Sequence, residues 1–373
     1  MPTSRWSDEF LEAMREVGDP EADTLTYELF TEQRVDSVNQ MMRLLVRNNA
    51  APPSELPPPL REFLERSAAL PPWADRAKLK RGQELFCRYG LQIITILNCY
   101  SLPVSYVSRK GVQVLYRTAR LYHATQRRII ETAHMIMDVM RPGGLDPGGT
   151  GIRSAQKVRL MHAAVRYLLL QREWDPAYGM PINQEDMAGS LQTFAYVVID
   201  GLRKLGCDLD AEAADAYLHS WNVVGFLMGV REDLMPHTEA EARALFEAIW
   251  GRLSEPCPEG QQLAKALVEY MQYSMPGSLF DGLPVSMMRF FLGDANAEIL
   301  ALDPADWTQR IIKPMRFLTA IADDLNDGIA PLARVSGFFG RKLIEGLCWL
   351  HRGDEHVHFS IPAELQQAWH LSV

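Results

Sequence analysis

Apolar residues along this chain recur every three to four positions, and that spacing predicts helices almost from end to end. In 154–171, SAQKVRLMHAAVRYLLLQ, the residues Val158, Met161, Val165, Leu168 and Leu169 mark one buried stripe. The same periodicity predicts helices beginning at Asp8 and over 32–47, 60–67, 76–100 and 111–140. It predicts others from Pro181 to about 205, and over 212–229, 239–253, 260–272 and 285–292. Helical pattern returns over 305–326, with a kink at Pro314, and over 338–350, before a tail at 359–369. Proline and glycine punctuate the pattern at APPSELPPP (51–59), RPGGLDPGGTG (141–151) and DPAYG (175–179). Asp75 and Asn183 stand where N-caps belong, ahead of the 76 and 184 helices. No run alternates with a period of two, and no repeat recurs at a fixed interval. The expectation is an all-α fold. Residues 1–69 form an N-terminal helical extension, 70–300 the main helical core, and 301–373 C-terminal helices packed on it.

Composition narrows the function classes. The 373 residues are 47% hydrophobic and 23% charged, which is ordinary for a globular chain. A net charge of −9 leaves no broad basic surface for phosphates, so nucleic acid is not an expected partner. The five cysteines (87, 99, 207, 257 and 348) are scattered, with no CxxC or CxxCH. They support neither a disulfide framework nor a thioether-linked haem. The longest uncharged run, LQIITILNCYSLPVSYVS at 91–108, contains Asn98 and Pro103 and reads as a buried helix and turn, not a membrane span. The polar, acidic N-terminus lacks the apolar core of an export signal, so a soluble, cytoplasmic protein is expected.

Two helices carry chemistry. His162 interrupts the apolar stripe of 154–171, with Arg159 and Arg166 three residues before and four after it. One reading is a core histidine satisfied by a hydrogen bond. The other is a ligand to a metal or haem iron, with the arginines near acidic groups such as haem propionates. As a ligand, its second ring nitrogen is expected to be held by a carbonyl or carboxylate. On the 111–140 helix, Arg128, Glu131 and Thr132 lie within one turn among buried isoleucines. They read either as an ordinary ion-paired cluster or as polar groups facing an open iron position. Glu131 and His134 make one ExxH, the spacing of di-iron bundles, but no second ExxH follows. His219, Trp221 and Asn222 sit in an otherwise apolar helix, where a core tryptophan with a satisfied N–H is expected. The glycine-rich 141–151 loop has no phosphate-binding spacing, and no GxSxG or HExxH occurs.

Several stretches together resemble the latex clearing protein (rubber oxygenase) and mpaB-type oxygenase superfamily. They are LPPWAD at 70–75, RIIET at 128–132, GGLDPGGTG at 143–151, KVRLMHAAVR at 157–166, PINQEDMAG at 181–189 with Phe194, and the segment from Trp221 through Gly229 to Pro236. The resemblance implies a globin-like helical core around haem b and dioxygen chemistry that cleaves a carbon–carbon double bond. Carried over by position, His162 resembles the proximal iron ligand, and Arg128 and Thr132 resemble the distal polar residues. The chain departs from the pattern in three places. Glu131 stands where a lysine can precede the threonine, no acid occurs in 112–120, and Asn222 follows the helix tryptophan. The implied function is a haem-b oxygenase taking O2 and a lipophilic unsaturated small molecule, with Glu131 as proton acceptor. A non-catalytic haem sensor or carrier and a carboxylate di-iron oxidase are the alternatives, with a haem-free helical protein behind them.

Overall fold

A computed structural model of the chain describes residues 5–32, 43, 45–118, 123–274 and 282–304, leaving aside the side chains of 123–128 and 273–274. Among the described residues there is no strand, only an isolated bridge between Ser108 and Ser254. The all-α expectation holds. The helices are α1 (Asp8–Met14), α2 (Pro20–Thr31), α3 (Pro58–Arg66), α4 (Arg76–Arg88) and α5 (Gly90–Ile96). A π turn (Leu97–Ser101) leads to α6 (Leu102–Ser105), α7 (Val112–Thr118), α8 (His123–Met140) and α9 (Gly151–Leu170). Next come α10 (Gln184–Phe194), α11 (Tyr196–Leu205), α12 (Ala211–Leu227), α13 (Glu239–Leu253), α14 (Pro258–Ser274) and α15 (Leu283–Ile299). Residues 33–42, most of the helix expected at 32–47, lie outside the described residues, and 45–50 are not helical. The helices and tail expected beyond 304, with Cys348, also lie outside them.

Local chemistry sets the boundaries. Asp75 caps α4 by accepting from the amides of Ala77 and Lys78, and the Asn183 side chain caps α10 through Asp186 N. The single helix expected over 76–100 is broken at Tyr89 and widened at 97–101. Pro103 has no N–H to return to the turn before it, and the Leu102 amide bonds Leu97 O, five residues back. The Thr95 hydroxyl and the Asn98 amide also bond back to the carbonyls of Leu91 and Ile94. The helix expected from 181 to 205 is likewise two, divided at Ala195 (φ −94°, ψ −83°).

The most extensive helix pair is α4 with α12. It closes at Gly82, where a Cβ would come within 2.7 Å of Ala216 O and against Ser220 Oγ. The main core joins Trp6, Leu11 and Met14 of the N-terminal segment to Ile199, Trp221 and Met288. A second cluster packs Leu25, Leu29, Leu60 and Phe63 against Ala163 on α9. Helix α9 therefore has apolar neighbours on two sides, beyond the single stripe its pattern predicts. No helix among the described residues is long and apolar enough to cross a membrane.

Candidate functional site

Helix α9 is fixed at its start by a side chain from far away in sequence. Thr150, at the N-cap, makes no side-chain cap; instead the Asn48 carbonyl oxygen accepts from the amides of Ile152 (2.9 Å) and Arg153 (3.2 Å). Asn48 Nδ2 in turn donates to the carbonyls of Gly144 and Asp146. Two turns further on, Arg159 grips α2. Its guanidinium donates to Asp19 at 2.5 and 2.9 Å and to Glu21 at 2.8 Å. Arg166, 2% exposed, pairs with Asp23 and donates to the carbonyls of Pro181 (2.9 Å) and Ile182 (2.8 Å). A buried guanidinium needs such partners to offset lost hydration. The two arginines thereby fix the register of the helix against α2.

Between them, the adjoining face of α9 opens on a cavity of about 750 Å³. That volume lies within the range of small-molecule and cofactor sites. Val158, Met161, His162 and Val165 of α9 line it, with Ile129, Thr132, Ala133 and Ile136 of α8. Ile94, Asn98 and Leu102 come from the bent 90–105 segment, and Phe194, Trp221, Trp250, Tyr270 and Met287 from the later helices. Most of this lining is apolar. Burial, aided by the nearby Arg166 charge, pushes the His162 imidazole down to about 4, so it is neutral at physiological pH. Its Nδ1 is buried without a hydrogen-bond partner, unlike the carbonyl- or carboxylate-held ring the sequence suggests. His162 stands in the wall of a largely apolar cavity as a neutral imidazole, the form that ligates iron, so the residues present fit the group the resemblance implies.

Two carboxylates also line the cavity, Glu185 and Asp186, at the start of α10. Arg15 Nη1, entering from just beyond the end of α1, lies 3.0 Å from both Glu185 Oε2 and Asp186 Oδ1. Arg252 pairs with the other Glu185 oxygen. Asn183 Nδ2 donates to Asp186 Oδ2 at 2.8 Å. Desolvation raises the Glu185 carboxyl against the opposing pull of both arginines, up to about 7. The Cys99 thiol, also in the wall, is pushed by burial up to about 12 and is not ionised at neutral pH.

Of the residues singled out from the sequence, the structure brings His162 and Thr132 to one cavity. Glu131, on the same turn of α8 as Thr132, is not among the lining residues, and neither are Arg159 and Arg166. Arg128 lies on α8, with its side chain outside the described residues. Glu131 and His134 belong to no group of three or more His, Cys, Asp or Glu able to hold a metal among the described residues. Trp221 stacks on Phe194 (5.0 Å, 18° between planes) and is buried against the Tyr217 ring. Asn222 Nδ2 donates to Pro236 O at 2.6 Å. Sequence reasoning accounts for Glu185 and Asp186 as acidic residues suited to a helix start, which they are. Their place in the cavity wall had no local signal beyond their sharing that first turn.

Comparison with known proteins supplies the context for this geometry. The family described as "ER-bound oxygenase mpaB/B'/Rubber oxygenase, catalytic domain" matches residues 104–323. A rubber oxygenase of Streptomyces sp. (strain K30) is 30% identical over 304 residues, which is 79% of this chain and 73% of that protein. The structure of latex clearing protein LCP in the closed state superposes with a TM-score of 0.80 at 26% identity, over 94% of this chain and 95% of that one.

Proposed function

We propose, because the chain belongs to the ER-bound oxygenase mpaB/B'/rubber oxygenase family, that it is a haem-b-dependent oxygenase. Its reaction oxygenates or cleaves a carbon–carbon double bond of a small lipophilic substrate with O2. The observation that carries this reading is His162, a neutral imidazole in the wall of a largely apolar cavity large enough for a cofactor and a ligand. His162 holds the iron. The haem, when bound, supplies the redox chemistry of dioxygen.

The chain's own groups do the rest. Thr132 offers a hydroxyl that donates or accepts hydrogen bonds inside the cavity. Arg128, one helical turn before it, is its partner in holding dioxygen. Arg159 and Arg166 serve by position, since their carboxylate and carbonyl partners lock the His162 helix against α2. The isoleucine, leucine and methionine lining excludes water and favours an unsaturated hydrocarbon segment over a polar ligand.

The test is a visible spectrum with a pyridine haemochrome assay on the wild type beside His162→Ala, followed by an alkene screen under oxygen. About one haem b per chain is expected, with the Soret band lost or strongly altered in the variant and oxygen consumed with a product carbonyl. Haem without oxygen uptake on any alkene would favour a sensor or carrier. Two irons per chain and no porphyrin would favour the di-iron reading. A colourless protein that takes up no added haem would overturn the proposal.

A further inference from the structure

Trp250, on α13, is a large ring of the cavity wall that is held from three sides. Its indole N–H donates to Val104 O at 2.9 Å. Phe246, one turn earlier, stacks on it at 4.9 Å with 15° between planes, and Tyr196 of α11 packs on Phe246 in turn. The six-membered end of the ring lies against Gly189 of α10, which also lines the cavity. A Cβ at 189 would come within 2.7 Å of Trp250 Cζ3 and 3.0 Å of Cη2. Gly189 lies mid-helix and has no left-handed backbone that calls for glycine. Glycine weakens a helix relative to alanine, so what it provides here is room for the ring. A bonded edge, a stacked face and a tight seat leave the ring one direction in which to yield, toward the cavity. The hydroxyls on the neighbouring elements are committed elsewhere. Ser105 Oγ donates to Leu102 O and Thr193 Oγ1 to Ser190 O, each within its own helix. This stretch of wall therefore selects by bulk.

We propose that Trp250, seated on Gly189, is the specificity-determining residue of the cavity, limiting the length of unsaturated hydrocarbon chain that it takes. That the ligand is an unsaturated hydrocarbon rests on the oxygenase reading above; that the ring limits its size rests on the wall alone. A chain beyond the limit finds room only by breaking the indole hydrogen bond and the stack, whereas a flexible side chain would swing aside. Each methylene that a hydrophobic pocket holds or refuses changes selection by about 10-fold or more. Removing the ring adds space without orphaning its acceptor, since Val104 O also accepts from Val107 N at 3.3 Å. Gly189 supplies the opposite change, because a methyl there drives the ring inward.

The experiment measures binding of linear terminal alkenes, from hexene to dodecene, to the holoprotein by headspace partition, and product formation with the same series. Wild type is compared with Trp250→Leu, Trp250→Phe and Gly189→Ala, each first matched to it by helical circular dichroism. Wild-type affinity is expected to rise with each carbon up to a length limit and to fall beyond it. Trp250→Leu moves the limit to longer chains, and the first alkene beyond the wild-type limit gains about 10-fold in binding. Trp250→Phe, a smaller ring on the same stack, moves it part of the way. Gly189→Ala moves it to shorter chains, and the longest alkene that wild type accepts loses about 10-fold. A merely structural defect would weaken all lengths by one factor and move no limit, and where one variant fails to fold the others decide. A limit unmoved in the folded variants, or wild-type affinity that rises across the whole series without one, overturns this role and leaves the oxygenase reading intact. Limits that move in binding while wild type turns over no alkene overturn the oxygenase reading and leave the size limit standing. A wild-type holoprotein that binds no alkene overturns both.

Discussion

At the scale of the residue, the decisive property of His162 is that folding makes its protonation costly. Its ring sits near 6.5 when unfolded and about 4 in the fold. Between those values the unfolded chain binds the proton that the folded chain refuses. The stabilising contribution is therefore complete above pH 6.5 and is lost as pH falls toward 4. At about 1.4 kcal/mol per unit, the haem-free protein is expected to lose about 3 kcal/mol over that window through this one group. Urea titrations at pH 7 and pH 4.5 should show the difference, and His162→Phe should remove most of that group's share. Arg166 makes the complementary case. Arg166→Met leaves Asp23 without its cation and two loop carbonyls without donors, and is expected to cost about 3 kcal/mol by urea unfolding. His162 was legible in the sequence because an imidazole has no reason of periodicity to interrupt an apolar stripe. Glu185 was not, because its neighbours account for it locally: Asn183 caps the helix, and acids suit the first turn. What makes it unusual is Arg15, 170 residues earlier in the chain. No local pattern carries a contact of that span.

Elements show the same division between what is local and what is not. Caps at Asp75 and Asn183, and the full extent of Glu239–Leu253, follow from side-chain chemistry within a turn or two and match the pattern read from the sequence. The breaks at Tyr89, 97–101 and Ala195 interrupt stretches whose apolar spacing is continuous, so periodicity alone runs through them. At 97–101 the missing N–H of Pro103 and the back-bonding Thr95 and Asn98 side chains open the turn, and the bent 90–105 segment supplies Asn98 and Leu102 to the cavity wall in consequence. Gly82 isolates the strength of tertiary packing. Replacing a mid-helix glycine by alanine favours an exposed helix by about 1 kcal/mol. At Gly82 the added methyl meets a backbone carbonyl of α12 at 2.7 Å, and backbone yields less readily than a flexible side chain. Overpacking of this kind costs about 1–3 kcal/mol, so Gly82→Ala is expected to destabilise by about 1 kcal/mol net. Thermal unfolding with an exposed Gly→Ala control, Gly251, where nothing lies within 4 Å, would separate the two terms.

For the whole molecule, the cavity is where the helices meet without filling the space between them. Side chains from most of the described helices α5 to α15 line it. A void that large forgoes the dispersion contacts a filled core would make. A ligand that enters recovers them, and because it binds the folded chain alone its affinity adds directly to stability. Haem b in 100-fold excess over its dissociation constant is expected to stabilise the chain by about 2.7 kcal/mol. At about 2.1 cal/mol/K per residue the unfolding entropy of 373 residues is roughly 0.8 kcal/mol/K, so each kcal/mol raises the midpoint by about 1.3 °C and loading should shift it upward by about 3–4 °C. The shift depends on the one imidazole in the apolar wall. His162→Ala should abolish most of it, whereas Arg243→Ala, which removes an exposed pair with Glu247, neither of them a lining residue, should preserve it. Differential scanning fluorimetry with and without added haem reads both variants together. An equal shift in the two would mean that haem stabilises the chain from somewhere other than this cavity, because no binding through His162 can survive its removal unchanged.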